Sequence, residues 1–279
     1  MSTVKTPFKK GIWEKEINTR DFIFRNITPY NGDSSFLVGP SKKTQELWNK
    51  CKELLKKELD KGGVFSIDTN TISTITSHDA GYIADGLEVI VGLQTDAPLK
   101  RPIKPFGGWR VVKKACEENG YELDEGVVKI CEQYRKTHND GVFDVYTPKM
   151  RELRSCGILT GLPDNYSRGR IIGDYRRIAL YGVDRLIEEK QKDKEKLDGD
   201  MTEEVIQLRE EISEQIRALE MIKEMAKTYG FDVSKPATNA REAVQWTYFG
   251  YLAAIKEQDG AAMSLGNVSS FFDIYIEKD

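Results

Sequence analysis

From Thr202 to Tyr229, apolar residues return every three or four positions. Val205, Leu208, Ile212, Ile216, Leu219, Ile222 and Ala226 form one stripe. A helix of that span rises about 40 Å, at roughly 1.5 Å per residue. Its stripe must be covered by a surface of similar length, which calls for packed helices and a large core. Asp200 and Glu203 have capping-box spacing at its start, and Gly230 is placed to end it. The 279 residues supply enough chain for such a core, in one large domain or two smaller ones.

Helical spacing recurs elsewhere. Ser41 can cap a helix over 42–59 that aligns Leu47, Trp48, Cys51, Leu54 and Leu55. Helices are predicted over 109–119 and 124–137, and a short one runs from Thr147-Pro148 to near Gly157. Asp79 is a candidate cap for a helix from His78 to about Ile90. A further helix is predicted over 172–196, and another over 240–256 with Trp246, Tyr248, Phe249 and Tyr251. The Thr-, Ser- and Ile-rich stretch 64–77 reads as a strand or an extended loop. Phe272, Ile274 and Ile276 alternate with Asp273, Tyr275 and Glu277, which is strand periodicity. With few strands upstream to pair with it, that segment suggests that the natural polypeptide continues.

Charge narrows the functional classes. Forty-two Lys and Arg against 45 Asp and Glu leave a net −3. A protein driven onto duplex nucleic acid by phosphate neutralisation would usually be basic. No run approaches 18 consecutive apolar residues, and Met1 to Lys10 has no apolar secretory core. Cys51, Cys116, Cys131 and Cys156 are widely spaced with no C-x-x-C pair, and read as free thiols of the cytoplasm, most simply as small buried hydrophobes. Two histidines, His78 and His138, are too few for a His-rich zinc site.

Three segments could carry chemistry. In the first, Arg168 and Arg170 bracket Gly169 at the mouth of a predicted helix. Guanidinium forks there, beside helix N–H groups, would hold a small carboxylate; pairing with Asp164 and Asp174 is the structural alternative. The second, Ser77-His78-Asp79, has triad composition. Neighbours in one chain rarely point at each other, so a polar loop is expected, with His78 a possible ligand contact or proton carrier. The third, Tyr134 to Phe143, mixes basic and aromatic residues that could stack a base and bind phosphate; a solvated helix end followed by a buried Phe143 is the alternative. The charged run 188–200 reads as a solvated helix end and turn.

Several of these residues fall inside longer stretches: Ser73 to Tyr82, Val91 to Thr95, Tyr134 to Asn139, Gly141 to Pro148, Gly161 to Gly182, Gln245 to Ala254 and Asp273 to Glu277, with Arg20 to Ile23 and Thr28 to Tyr30 before them. In order and over nearly the whole chain, they resemble the pyruvate formate-lyase family of glycyl radical enzymes. The resemblance implies an α/β fold, of which this chain would be the N-terminal, mainly helical part of a ten-stranded α/β barrel, with an early barrel strand near 272–277. It implies the formate C-acetyltransferase reaction, in which pyruvate and coenzyme A give acetyl-CoA and formate. A related enzyme acting on 2-ketobutyrate, or a non-catalytic helical binding module, are the alternatives.

By motif position, Arg170 resembles the arginine that holds the substrate carboxylate, and Ala261 a small residue lining the pyruvate pocket. His78, Phe143 and Arg154 match coenzyme A positions, with Phe143 stacking on adenine and Arg154 meeting phosphate. No adjacent cysteine pair and no Arg-Val-Ser-Gly-Tyr type glycyl radical motif occurs here, so no catalytic residue is assigned to this chain, nor any metal or bound cofactor. The expectation is an N-terminal fragment, inactive alone. The resemblance further implies a radical S-adenosylmethionine activating enzyme as partner, a homodimer when full length, a cytoplasmic location, and neither nucleic acid nor membrane as partner.

Overall fold

The computed structural model describes residues 8–27, 33, 35, 37–103, 109–133, 144–159, 171–257 and 263–279. After a 3-10 turn at Ile12–Glu14 come α1 (Thr19–Asn26), α2 (Lys42–Lys61), β1 (Ser66–Ile72), β2 (Lys100–Ile103), α3 (Trp109–Asn119), α4 (Glu125–Gln133) and α5 (Pro148–Ser155). Then follow β3 (Ile171–Ile172), α6 (Arg176–Tyr181), α7 (Val183–Glu195), α8 (Glu203–Thr228), α9 (Ala240–Glu257), β4 (Met263–Ser264) and α10 (Ser269–Lys278). The described chain is therefore mostly helical, with two small parallel pairings: β1 with β2, and β3 with β4. It divides into two compact units, one of Met1–Ile103, Asp174–Lys256 and Leu265–Asp279, the other of Lys104–Gly173 and Glu257–Ser264.

In the first unit α9 is the core helix. Ala243, Trp246, Phe249, Leu252 and Ala253 are buried along it, joined in one cluster by Ile178, Val183, Ile222, Met225 and Phe271. Each large side chain so buried contributes about 1.5–3 kcal/mol by removing apolar surface from water. Phe231 meets Trp246 and Phe249 edge-on, both at 5.8 Å between ring centroids. Only the last part of α8 reaches this core, through Ile222, Met225 and Ala226; Leu208 is 39% exposed. The cap of α8 is Thr202, whose side chain accepts from the Val205 N–H, rather than Asp200.

Three other expectations are corrected. The helix expected over 172–196 is two helices, α6 and α7, broken at Gly182. Gly182 has φ +72°, and a Cβ there would lie 2.5 Å from the Ser234 carbonyl oxygen. The break lets the chain pair locally, Val183 N–H donating to Val233 C=O at 2.9 Å and Ala237 N–H to Ala179 C=O at 2.8 Å. The segment expected as a strand near 272–277 is helix α10. Ser270, Phe271, Ile274 and Tyr275 stand at helical spacing and are the residues buried, Ile274 against Trp13 and Phe22. Tertiary burial overrides the local alternation.

The stretch 78–90 contains no helix, and Asp79 caps none. It is held instead by side chains distant in sequence. Gln245, fully buried, accepts from Val91 N–H and donates to Val91 C=O, both at 2.8 Å. The Tyr229 hydroxyl oxygen accepts from Gly81 N–H at 3.0 Å and Leu93 N–H at 3.2 Å, and the Tyr248 hydroxyl donates to Gly92 C=O at 2.9 Å. Gly81 is required because a Cβ would lie 2.2 Å from the Thr95 carbonyl oxygen.

In the second unit, α5 starts as its sequence dictates, with Pro148 in the first turn and Thr147 accepting from Met150 N–H at 3.2 Å. Lys113 of α3 pairs with Glu132 of α4. The four cysteines are free; Cys51, Cys116 and Cys131 are half-buried and Cys156 is exposed, so none is a buried core hydrophobe.

Candidate functional site

His78 is the sequence-predicted site residue whose surroundings are fullest. Its side chain is 3% exposed. Contrary to the expectation for neighbours in sequence, Ser77 Oγ lies 2.9 Å from His78 Nδ1. The Thr74–Ser77 turn makes this possible: Ser77 Oγ accepts from Thr74 N–H and donates to Thr74 C=O, both at 3.0 Å, which folds the serine side chain back over its own loop. The acid beside the ring is not Asp79 but Asp68 of β1, whose Oδ2 is 3.3 Å from Nε2. That contact is not aligned as a hydrogen bond.

Asp68 is itself tightly held. Its Oδ1 accepts from the N–H groups of Asn70 and Thr71, both at 3.0 Å, and these bonds hold its carboxyl well below the usual carboxylate range. Lys100 of β2 reaches Asp68 at 3.4 Å and Asp96 at 2.7 Å. The Lys100 bond lowers the Asp96 carboxyl, and the Asp96 bond raises the Lys100 ammonium. Parallel pairing of Ser66 with Lys100 and Ile67 with Arg101 brings the β1 carboxylate beside the β2 amine. Sequence reasoning missed Asp68, Asp96 and Lys100. A signal existed in Asp68-Thr69-Asn70-Thr71, a composition that favours an aspartate folding back on the amides two and three residues on.

Arg154, in the second unit, lies on the last turn of α5 and is partly exposed. Phe143, Arg170 and Ala261 lie outside the described residues, as do Arg168 and Asp164. The second acid offered as a structural partner for those arginines, Asp174, accepts from Arg176 through bonds of 2.7 and 3.1 Å. The Arg176 guanidinium holds the Asp174 carboxyl below its ordinary range. β3 and β4 pair in parallel, Ile171 with Met263 and Ile172 with Ser264. Among the described residues no cluster of three or more His, Cys, Asp or Glu side chains is set to hold a metal ion, and no helix is long and apolar enough to cross a membrane.

Comparison with known proteins adds the family. The chain is 56% identical over 284 residues to Formate acetyltransferase 1 of Escherichia coli (strain K12), a match that covers all of this chain and 37% of that protein. Among solved structures it is similar to the glycerol-bound form of the B12-independent glycerol dehydratase from Clostridium butyricum, with a TM-score of 0.53 and 16% identity. That match covers 88% of this chain and 38% of the dehydratase chain, and it speaks to fold alone. The pyruvate formate lyase-like family model matches residues 12–279. The chain belongs to the pyruvate formate lyase-like family.

Proposed function

We propose that this chain supplies the substrate-binding part of a formate C-acetyltransferase, which converts pyruvate and coenzyme A to acetyl-CoA and formate. In this reading Arg170 grips the pyruvate carboxylate through a two-pronged charged hydrogen bond. Ala261 leaves room beside it for the small keto acid. His78, Phe143 and Arg154 contact coenzyme A, and the described helices flank a ten-stranded α/β barrel. The protein acts in the cytoplasm, as a homodimer partnered by a radical S-adenosylmethionine activating enzyme.

The observation that carries this reading is the β3–β4 pairing. Arg170 is bonded directly to Ile171, and Ala261 is two residues from Met263, the partner of Ile171. The pairing supports the reading in that the segments following positions 170 and 261 in sequence, 171–172 and 263–264, run side by side. Fixing a carboxylate there removes much of the orientational freedom that the reaction would otherwise have to overcome. The bond-breaking radical chemistry would come from a cysteine pair and a glycyl radical that no residue of this chain matches.

The experiment is a hybrid. This chain replaces the matching 37% of the E. coli relative, and formate release from pyruvate is followed anaerobically with activating enzyme and S-adenosylmethionine. Formate production dependent on coenzyme A is the expected result. A folded, activated hybrid that makes none would reject the proposal.

A further inference from the structure

The fold grips the loop that carries His78 more firmly than it grips the ring. Nε2 makes no hydrogen bond to a described residue. The backbone on either side is fixed by groups distant in sequence. Before the histidine, buried Ser73 donates from Oγ to the Lys256 C=O on α9, at 2.7 Å. After it, one oxygen does the work of several. The Tyr229 hydroxyl accepts from Gly81 N–H at 3.0 Å and from Leu93 N–H at 3.2 Å, and donates to Gly81 C=O at 3.4 Å. Those two amides open and close the 81–93 loop, so a single side chain ties its neck.

Tyr229 is well placed to act as a fixed post. It caps the C-terminus of α8, and its ring packs edge-on to Tyr82 at 5.5 Å and tilted against Phe249 at 5.7 Å. The neck is tight, since Gly81 lies too close to the Thr95 carbonyl oxygen to carry a Cβ. On the reading above that His78 contacts coenzyme A, we infer that Tyr229 is a positioning residue, whose hydroxyl sets where the imidazole stands. A contact group already in place binds more tightly than one that must be ordered on binding. Without the hydroxyl, two amides lose their acceptor, the neck loosens and His78 loses its fixed place.

Tyr229→Phe is the probe, because it keeps the ring between Tyr82 and Phe249 and removes only the hydroxyl. The measurement is a double-mutant cycle with His78→Ala, reading coenzyme A affinity of the full chain by calorimetry. Tyr229→Phe should weaken binding about fivefold or more when His78 is present, and less than about twofold in the His78→Ala background. Equal losses in the two backgrounds, or no loss in a folded Tyr229→Phe protein, would overturn the positioning role, because general structural damage does not depend on the imidazole. A second readout needs no ligand. With only two histidines, His138→Gln leaves the His78 ring signals alone in the NMR spectrum. Tyr229→Phe should shift or broaden them, and unmoved signals would overturn the role. A wild type that does not bind coenzyme A, or binds it no better than His78→Ala, would reject the coenzyme A reading, and the ring signals then decide the positioning role by themselves.

Discussion

Gln245→Leu removes the one side chain that satisfies both main-chain polar groups of Val91. The glutamine is fully buried, and both bonds are 2.8 Å long across 154 residues of sequence. Leucine fills similar space but leaves a buried N–H and a buried C=O without partners, each costing about 1–3 kcal/mol. Burying the added methyl groups offsets part of that, so the net destabilisation should be about 3 kcal/mol. Urea unfolding followed by circular dichroism gives the global value. Hydrogen exchange at the Val91 amide gives the local one, where about 3 kcal/mol corresponds to exchange roughly a hundredfold faster. A loss under about 0.5 kcal/mol, with Val91 as protected as before, would refute the reasoning that this bridge holds the 78–95 loop.

Gly81→Ala should destabilise by about 1–3 kcal/mol or more in the same urea assay, since the added Cβ would lie 2.2 Å from the Thr95 carbonyl oxygen and backbone must move. Phe271→Ala should cost about 3–5 kcal/mol and Ile276→Ala, at a 52% exposed position, under about 0.5; the reverse order, a large loss at Ile276 and a small one at Phe271, would favour a strand over α10. The carboxyls of Asp68 and Asp96 are lowered on folding, so their contribution is complete above the unfolded carboxylate value of about 3.9 and is lost as pH falls below it. The urea midpoint should therefore drop between about pH 5 and pH 3, and less steeply in Asp68→Asn; parallel curves for the two proteins would reject that role.

Much of the helical frame was legible because period and punctuation agreed. Ser41 opens α2 and Gly62, at φ +67°, closes it, with Leu47, Cys51 and Leu54 on one side; α3 and α9 follow from spacing alone. What escaped was set at long range. No local pattern says that Tyr229, Gln245 and Tyr248 will hold 81–93 without regular structure. The division of α6 from α7 depends on Gly182 meeting the Ser234–Lys235 backbone, some fifty residues on. α10 is a helix because Ile274 has Trp13 and Phe22 to pack on, a partnership invisible to a window of six residues. For the candidate site, His78 was found by composition and resemblance. Asp68 and Lys100 were not, because the β1–β2 register, not sequence spacing, brings them together.

The pyruvate saturation curve of the hybrid enzyme, with and without Arg170→Lys, tests the central claim most directly. Lysine keeps the charge but loses the fork, so KM for pyruvate should rise about tenfold or more while KM for coenzyme A stays unchanged. Identical pyruvate curves for the two proteins would contradict the account.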